Sequence, residues 1–464
     1  MRFLSLFVAL LFCLPSARSQ SEDRGMYFVG FADKQGTPLT VNDADRLLSE
    51  RALARREKTG MKLTQDDLPV SPAYEAAVRA AGGTVWLRSR WMNGLVVSAT
   101  PAQRDRIAKL SSVDTLYYVA PYQYDRTSAV PVLPNFDRPA PRFDRDTVSE
   151  TFYGAGYKDL RRMGGDSLHR MGYRGAGMLV AVFDGGFPQV NYPGFLGYPN
   201  ADVLPANYDV VQQDETAFDG GSHGATVLST MAAHHPFFII GTAPEARYIC
   251  FTTENGQGEH RLEEINYAIA LEIADSIGVD VVNSSLGYTT FTDKTMNYRY
   301  EDMNGNRSPA SLAIDKAFAR GMIVVTSAGN EGGDAWKYIS VPADSKSVLA
   351  VGALHQEREE RASFSSFGPT FDGRVKPDVM APGSRVAAVN GAGRGISYHS
   401  GTSLSAPLVT GLVACLWQAF PDKTNAQIVD ALRQTSSRYA TPDGEYGYGI
   451  VNFAAAYRLL KGDL

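Results

Sequence analysis

Near its middle the chain reads Leu179-Val180-Ala181-Val182-Phe183-Asp184-Gly185-Gly186, five apolar residues followed by an acidic side chain and two glycines. A continuous apolar run of this length, closed by glycines, predicts a fully buried strand that ends on Asp184. Further strand patterns follow at 248–252, 279–283, 322–326 and 348–353. Helical patterns precede, alternate with or follow these strands, at 160–171, 226–233, 262–277, 311–320 and 403–420. This alternation predicts an α/β fold in which a mostly parallel sheet carries helices on both faces.

Two polar stretches stand at the starts of apolar helical runs: Ser222-His223-Gly224-Ala225-Thr226 and Ser400-Gly401-Thr402-Ser403-Leu404-Ser405-Ala406-Pro407. In a parallel α/β sheet, ligand-handling residues belong at strand carboxyl ends and helix amino ends. A serine hydroxyl becomes a nucleophile when an imidazole takes its proton and a buried carboxylate orients that imidazole. We therefore expect Asp184 as the acid, His223 as the base and Ser403 as the nucleophile.

A fourth stretch, Val324-Val325-Thr326-Ser327-Ala328-Gly329-Asn330, predicts a strand that ends beside a side-chain amide. The amide of Asn330 can donate a hydrogen bond to an oxyanion that develops during attack on a carbonyl. The backbone N–H of Ser403, unpaired at a helix amino end, is the expected second donor. Taken separately, these stretches are typical of turns, caps and loops. Those separate interpretations do not explain why the acid, base and nucleophile occur together.

The order Asp184, His223, Ser403 and the segment around Ser403 resemble the subtilase family of serine proteases. The resemblance covers about residues 166–453. It implies a subtilisin-like fold, peptide-bond hydrolysis through an acyl-enzyme intermediate, and no required cofactor. It also implies that the substrate backbone binds along Ser285-Leu286-Gly287 and beside Gly329. Many relatives carry Thr-Gly after the acid, where this chain has Gly-Gly. That difference changes the turn but leaves the carboxylate in place.

The amino-terminal residues 1–19 are typical of a secretory signal: Met-Arg, a mostly apolar run at 3–14, and small residues before position 20. A buried or membrane helix fits less well, because the run is too short to span a bilayer. We therefore expect an exported protein, extracellular or periplasmic. No later segment is expected to span a membrane.

Residues 20–121 contain strand patterns and three helical runs, at 43–58, 74–81 and 101–110. If the first two helical runs count as one crossover, the order is β-α-β-β-α-β, which predicts a small ferredoxin-like α+β domain. Its position before a subtilase-like region resembles that of the family's inhibitory prodomain, which would make the chain a zymogen and the prodomain its own inhibitor. An accessory domain retained in the mature protein is the alternative. Residues 122–151 are rich in proline and predict an extended linker. Residues 152–464 form the expected catalytic domain.

Composition excludes several other functions. A net charge of −5 over 464 residues gives no reason to expect nucleic acid as a partner, so we expect peptide and protein substrates. No Cys-x-x-Cys or His-Glu-x-x-His pattern occurs, and we assign no metal ligand. Structural calcium, which family members often bind, maps to no residue here. The oxygen-rich segment 302–306 is typical of a turn. Cys250 and Cys415 are expected to be inert buried thiols.

Two alternatives of different kinds remain. Gly220-x-Ser222-x-Gly224 matches the nucleophile elbow of α/β-hydrolases, but that elbow needs a buried strand before it, and 214–219 is mostly polar. The other alternative is a catalytically silent protein of subtilase fold that binds partners without cleaving them. Nothing in the sequence favours it, since all four expected catalytic positions are filled.

Overall fold

The structure is a computed structural model and describes residues 23–121, 148–192, 194–197, 203–204, 206–214, 216–391 and 395–463. The expected signal segment and residues 122–147 of the expected linker lie outside these residues. The description that follows concerns an N-terminal domain that ends at Pro121 and a C-terminal domain from Val148 onward.

The N-terminal domain is built on a four-stranded antiparallel sheet in the order β2-β3-β1-β4. Its strands are β1 (Gly25–Phe31), β2 (Thr84–Ser89), β3 (Gly94–Ala99) and β4 (Val113–Pro121). Helices occupy the β1–β2 and β3–β4 connections, so the order is β-α-β-β-α-β. The predicted ferredoxin-like fold is confirmed.

The β1–β2 connection is longer and more divided than the sequence pattern indicated. It holds α1 (Ala44–Leu47), α2 (Glu50–Thr59), a 3₁₀ turn (Gln65–Asp67) and α3 (Pro72–Ala80), and α4 (Pro101–Ile107) precedes β4. The single helix expected over 43–58 is broken before Ser49, because the Ser49 hydroxyl accepts a hydrogen bond from Ala52 N–H and caps a new helix.

Seven of the described strands of the C-terminal domain form one sheet in the order β13-β12-β11-β10-β5-β9-β6, and every pairing in it is parallel. In chain order the strands of this domain are β5 (Leu179–Asp184), β6 (Ala206–Asp209), β7 (His234–His235), β8 (Ile239–Ile240), β9 (Arg247–Thr252), β10 (Val281–Ser284), β11 (Ile323–Ser327), β12 (Leu349–Leu354), β13 (Val379–Pro382), β14 (Val386–Val389) and β15 (Ile396–His399). The predicted parallel α/β sheet is confirmed.

Helices cover both faces of this sheet. They are α5 (Glu150–Tyr153), α6 (Tyr157–Arg162), α7 (Gly165–Arg170), α8 (His223–Ala232), α9 (Arg261–Ile277), α10 (Pro309–Ala319), α11 (Thr402–Ala419), α12 (Asn425–Gln434) and α13 (Phe453–Lys461). Alternate residues of β5 enter different cores: Val180 and Val182 pack with α8 and α11, whereas Leu179, Ala181 and Phe183 pack with α9 and α10. A strand buried on both faces is continuously apolar, as 179–183 is.

The composition of helix α11 resembles that of a membrane span. Within the part of the chain that the structure describes, α11 is long and apolar enough to cross a bilayer, but 83% of its apolar window is buried inside the protein. The sequence argument that no later segment has that length and composition was wrong for this helix. Its apolar surface is explained by its position in the centre of the domain.

The two domains share an apolar core. The N-terminal sheet packs against α9, and Phe28, Trp86 and Val96 belong to the same buried cluster as Leu271 of that helix. The N-terminal domain therefore lies on the face of the C-terminal sheet that carries α9 and α10.

Candidate active site

Asp184 is the last residue of β5, and His223 is the first residue of α8. The Nδ1 atom of His223 lies 3.0 Å from Oδ1 and 2.9 Å from Oδ2 of Asp184. The Asp184 side chain is only 3% exposed, whereas that of His223 is 49% exposed. The Gly185 N–H also donates to Asp184 Oδ1, at 2.8 Å. A buried, oriented carboxylate therefore holds one ring nitrogen and leaves Nε2 for proton transfer.

The charge of Asp184 raises the pKa of His223 above its usual value of 6.5, and burial opposes that rise without cancelling it. A second histidine, His399, ends β15 four residues before Ser403. Burial and the nearby positive charge of His223 lower the pKa of His399. Ser397 Oγ lies 2.6 Å from His399 Nε2. His399 therefore lies at the end of β15, just before α11 starts at Thr402.

Ser403 is the second residue of α11. Pro407, four residues later, has no N–H, so the Ser403 carbonyl lacks its helical donor. The hydroxyl of Ser285 donates to that carbonyl instead, at 2.9 Å. Ser403 Oγ lies 3.5 Å from Ser285 O. Among the described residues, no hydrogen bond joins Ser403 to His223. The structure thus pairs the predicted acid and base, while the predicted nucleophile points to another partner.

Asn330 lies just beyond β11 and is exposed. Its Oδ1 accepts from Thr402 N–H at 2.9 Å and lies 3.0 Å from the Thr402 hydroxyl. A backbone N–H can only donate, so this contact identifies which amide atom is the oxygen. Within the described part of the chain, neither Asn330 Nδ2 nor the Ser403 N–H has a hydrogen-bond acceptor. Two free donors therefore stand at the start of α11.

The predicted substrate-binding residues also come together. Ser285, Leu286 and Gly287 continue from β10, and Gly329 follows the neighbouring parallel strand β11. Ser327 Oγ donates to Leu286 O at 3.3 Å, which joins the two segments. A side chain at Gly287 would come within 2.4 Å of Ser340 Oγ, and one at Gly329 would combine a φ of 110° with a contact at 2.6 Å to Glu331. Both positions need glycine for these reasons.

Three polar residues at this site escaped the sequence argument. Thr402 orients Asn330, but its position in the motif gave no reason to assign it a role. The Ser340 hydroxyl is buried between Gly287 and Gly329 and has no partner among the described residues. Glu331 accepts from Ser366 Oγ at 2.8 Å beside Gly329. Of these three residues, only Glu331 could have been identified from the sequence, because it directly follows Asn330.

Three glutamates near this site form a cluster that could be mistaken for a cation site. Ligand oxygens of Glu254, Glu259 and Glu263 are all within 4.8 Å of one another. Glu254 accepts from Tyr288 OH at 2.6 Å, and Glu263 accepts from the backbone N–H groups of Asn255 and His260. These oxygens are used in local hydrogen bonds, and calcium needs six to eight oxygen ligands. We assign no metal here.

The segment 302–306 is also accounted for by local bonds. Asp302 accepts from Arg299 N–H at 2.9 Å, and Asn304 Oδ1 accepts from Asn306 N–H at 3.0 Å. Residues 216–222, all described, form no strand. The elbow alternative at Ser222 therefore lacks the strand that it requires. Cys250 and Cys415 are buried free thiols.

Comparison with known proteins decides the family. Residues 175–449 match peptidase S8, described as the subtilase family. The chain belongs to the subtilase family. Residues 26–131 match the peptidase S8 propeptide domain of Bacteroidota. This subtilase is therefore a serine endopeptidase with a propeptide domain, which confirms the predicted family, fold and enzyme class and disfavours a catalytically silent protein.

Similar proteins include Subtilisin E of Bacillus subtilis (strain 168), 32% identical over 300 residues that cover 62% of this chain and 68% of the relative. Subtilisin BL of Lederbergia lenta is 31% identical over 308 residues, which cover 64% of this subtilase and 97% of the relative. The crystal structure of MycP1 with the N-terminal propeptide removed has a TM-score of 0.51 at 22% identity, covers 65% of this chain and 96% of that chain, and shows the fold alone.

Proposed function

We propose that this subtilase is an exported endopeptidase, made as a zymogen, that cleaves peptide bonds through an acyl-enzyme. Ser403 attacks the carbonyl carbon, His223 takes the hydroxyl proton and later gives it to the leaving amine, and Asp184 orients His223 and stabilises the imidazolium. Water then attacks the acyl-enzyme by the same route in reverse. The observation that carries the proposal is the buried Asp184 carboxylate on His223 Nδ1.

Ser403 must leave Ser285 O for this step. The contact of 3.5 Å is at the limit of a hydrogen bond, so rotation about the Ser403 Cα–Cβ bond away from Ser285 O costs little. Catalytic hydrogen bonds are often long before substrate binds. Asn330 Nδ2 and the Ser403 N–H are the donors for the oxyanion, and both are free to donate.

A fluorophosphonate probe tests these roles, because it reacts only with an activated serine. We expect labelling of Ser403, and loss of labelling in Ser403→Ala and in His223→Ala. Ser222→Ala is the matched control and should label like the unchanged protein. Labelling that moves to Ser222, or that survives Ser403→Ala, would refute the assignment.

For the residue before the scissile bond, we propose a pocket between Ser285–Gly287 and the segment that ends at Gly329. The segments that line it, 285–287 and 327–329, are uncharged and include glycines, so apolar side chains should be favoured by about 10–200-fold over charged ones. The Glu331 carboxylate lies beside Gly329 at the edge of this pocket and is a charge that could contact a basic side chain there. The unpaired hydroxyl of Ser340 offers one polar contact inside the pocket. A peptide-library profile dominated by Lys or Arg would contradict this preference.

We also propose that the N-terminal domain inhibits the enzyme until it is cut away, which the match to a propeptide domain and its packing on the catalytic domain support. Export through residues 1–19 is supported by their composition, and the bacterial subtilisins among the relatives fit an extracellular enzyme. The protein with Ser403→Ala should stay full length after signal removal, whereas the active protein shortens. Amino-terminal sequencing of both forms gives the two cleavage sites.

A further inference from the structure

A chain of buried charges crosses from the prodomain to the catalytic domain. In order, it contains Arg320, Asp67, Arg56, Asp275 and Arg55, and each side chain is 3% exposed or less. The positive and negative charges alternate. Arg55 and Arg56 of α2 and Asp67 belong to the prodomain. Asp275 lies near the end of α9, and Arg320 directly follows α10.

The contacts in this chain are direct. Asp67 accepts from Arg320 Nε at 2.9 Å and from both terminal nitrogens of Arg56, at 2.9 and 3.1 Å. Arg56 continues to Asp275 Oδ2, and Arg55 Nη2 donates to Asp275 Oδ1 at 2.5 Å. At the two ends of the series, Arg55 also donates to backbone carbonyls and Arg320 Nη1 donates to Lys316 O at 3.0 Å.

Those carbonyls belong to the last turns of α9 and α10 and the residues just beyond. Arg55 donates to Asp275 O and Arg320 O, both at 3.1 Å. Arg51, at the rim, donates to Gly278 O at 2.9 Å and pairs with Asp280. The last carbonyls of a helix have no helical donors and carry partial negative charge. Prodomain arginines therefore satisfy the ends of two catalytic-domain helices.

This contact is far from the cleft. Helix α9 begins at Arg261, shortly after the carboxyl end of β9, and runs back along the sheet for 17 residues. A helix of that length spans about 25 Å. The carboxyl ends of α9 and α10 therefore lie at the edge of the sheet opposite Asp184 and Asn330.

We propose that residues 49–67, named here the arginine clamp, form a second docking element by which the catalytic domain selects its own prodomain. The surface that the clamp recognises consists of the carboxyl ends of α9 and α10, with Asp275 as its central carboxylate and Arg320 as its cation. The partner that fits is a helix with two consecutive arginines followed eleven residues later by an aspartate. The inference rests on the zymogen part of the proposed function and adds the recognition surface.

Selectivity follows from burial. A prodomain without the two arginines would leave the buried Asp275 carboxylate with only the longer contact to Arg90, at 3.9 Å. A prodomain without Asp67 would leave the Arg320 guanidinium buried without a carboxylate partner. Removing one partner of a buried, hydrogen-bonded ion pair is strongly unfavourable because the other charge keeps its desolvation cost. Foreign prodomains that match only the apolar sheet contact are therefore rejected.

The test uses the full chain with Ser403→Ala, so that no peptidase activity interferes. A recognition site for an added site-specific protease is placed between 131 and 139, the chain is cut there, and the dissociation rate of the two fragments is measured after dilution. We expect Arg55→Met to raise that rate about 100-fold and Arg51→Met about tenfold. Lys58→Met, which removes a charge from the same helix without a bond to the catalytic domain, should leave the rate unchanged.

Arg51 lies at the rim and is 36% exposed, so its variant is expected to fold even where Arg55→Met does not. Rates for both arginine variants within twofold of the Lys58→Met rate would overturn the clamp. Immediate separation of the fragments with all arginines present would instead overturn the inhibitory prodomain itself. The test requires that Ser403→Ala be inactive, which the fluorophosphonate experiment establishes separately.

Discussion

Thr402→Val is predicted to lower turnover without weakening substrate binding. The hydroxyl of Thr402 lies 3.0 Å from Asn330 Oδ1 and 3.1 Å from Gly329 O, and the residue is fully buried. Valine has nearly the same shape but cannot make either bond. One hydrogen bond contributes about 1 kcal/mol, which corresponds to about fivefold in a rate. We therefore expect kcat to fall about fivefold and KM to stay the same, because the oxyanion forms only after attack.

The effect on kcat should pass through Asn330, because Gly329 O also accepts from Ser366 N–H at 3.0 Å and so keeps a donor without the Thr402 hydroxyl. Asn330→Ala removes the donor itself and should lower kcat by about 10²–10³-fold, a range that comes from a subtilisin. Once Asn330 is absent, Thr402 has no amide to orient. The double variant should therefore be no slower than Asn330→Ala alone, so the coupling between the two positions equals the whole effect of Thr402→Val.

The assay is steady-state hydrolysis of one peptide substrate by four forms: unchanged, each single variant and the double variant. Thr410→Val is the matched control, because Thr410 is a buried threonine of the same helix whose hydroxyl donates to Asn283 Oδ1 at 3.0 Å, away from Asn330. It should lose stability but not turnover. Independent losses that multiply in the double variant would refute the idea that Thr402 acts by orienting the amide.

Three further predictions follow from the charges. The rate of hydrolysis should rise with pH around a His223 pKa above 6.5, because His223 acts as a base only when neutral and Asp184 raises its pKa. Asp184→Asn should shift this rise to lower pH and reduce kcat by about 10⁴-fold. A rise at unchanged pH would contradict the pairing of Asp184 with His223. Glu331→Gln should lower kcat/KM by about three- to fivefold for a peptide with Lys before the scissile bond, relative to the same peptide with Leu there. The two peptides are assayed side by side, and an equal change for both would place Glu331 outside the pocket. Burial raises the pKa of Asp67, but the Arg56 hydrogen bond and the Arg320 charge together lower it by more than burial raises it. The stabilising contribution of Asp67 is therefore present above its unfolded-state pKa near 3.9 and is lost only below it. Asp67→Asn should raise the dissociation rate of the cut fragments by the same factor at pH 5 as at pH 7, and a smaller factor at pH 5 would contradict this.

The C-terminal sheet was predictable because its strands are buried on both faces and therefore continuously apolar. Five of its strands were located to within two or three residues. The strands β6 and β13 were not predicted, since four residues such as Ala206–Asp209 contain too little pattern to distinguish a strand from a loop. The expected helix over 160–171 is two helices, because Gly164 adopts a φ of 74° between them.

The positions of the proposed catalytic residues at the ends of strands and the starts of helices were predictable, because the proposed chemistry demands particular residue types there. Their catalytic roles remain proposals. What could not be predicted were contacts made by common residues over long sequence distances. Thr402 and Asn330 are 72 residues apart, and no periodicity links a threonine to an amide across that separation. The same holds for Ser285, whose hydroxyl is needed only because Pro407 leaves the Ser403 carbonyl without a donor.

The charges of α2 show the same limit most clearly. Consecutive arginines on a short helix are typical of a solvated face, and the sequence offered no reason to bury Arg55 and Arg56. Their burial is explained only when Asp275, about 220 residues later, is brought beside them at the end of α9. The length of α9 places that end about 25 Å from the cleft. Substitutions there can therefore change the affinity for the prodomain without altering Asp184, His223 or the oxyanion donors. The proposed inhibition by the prodomain and the catalysis of peptide hydrolysis can therefore vary independently.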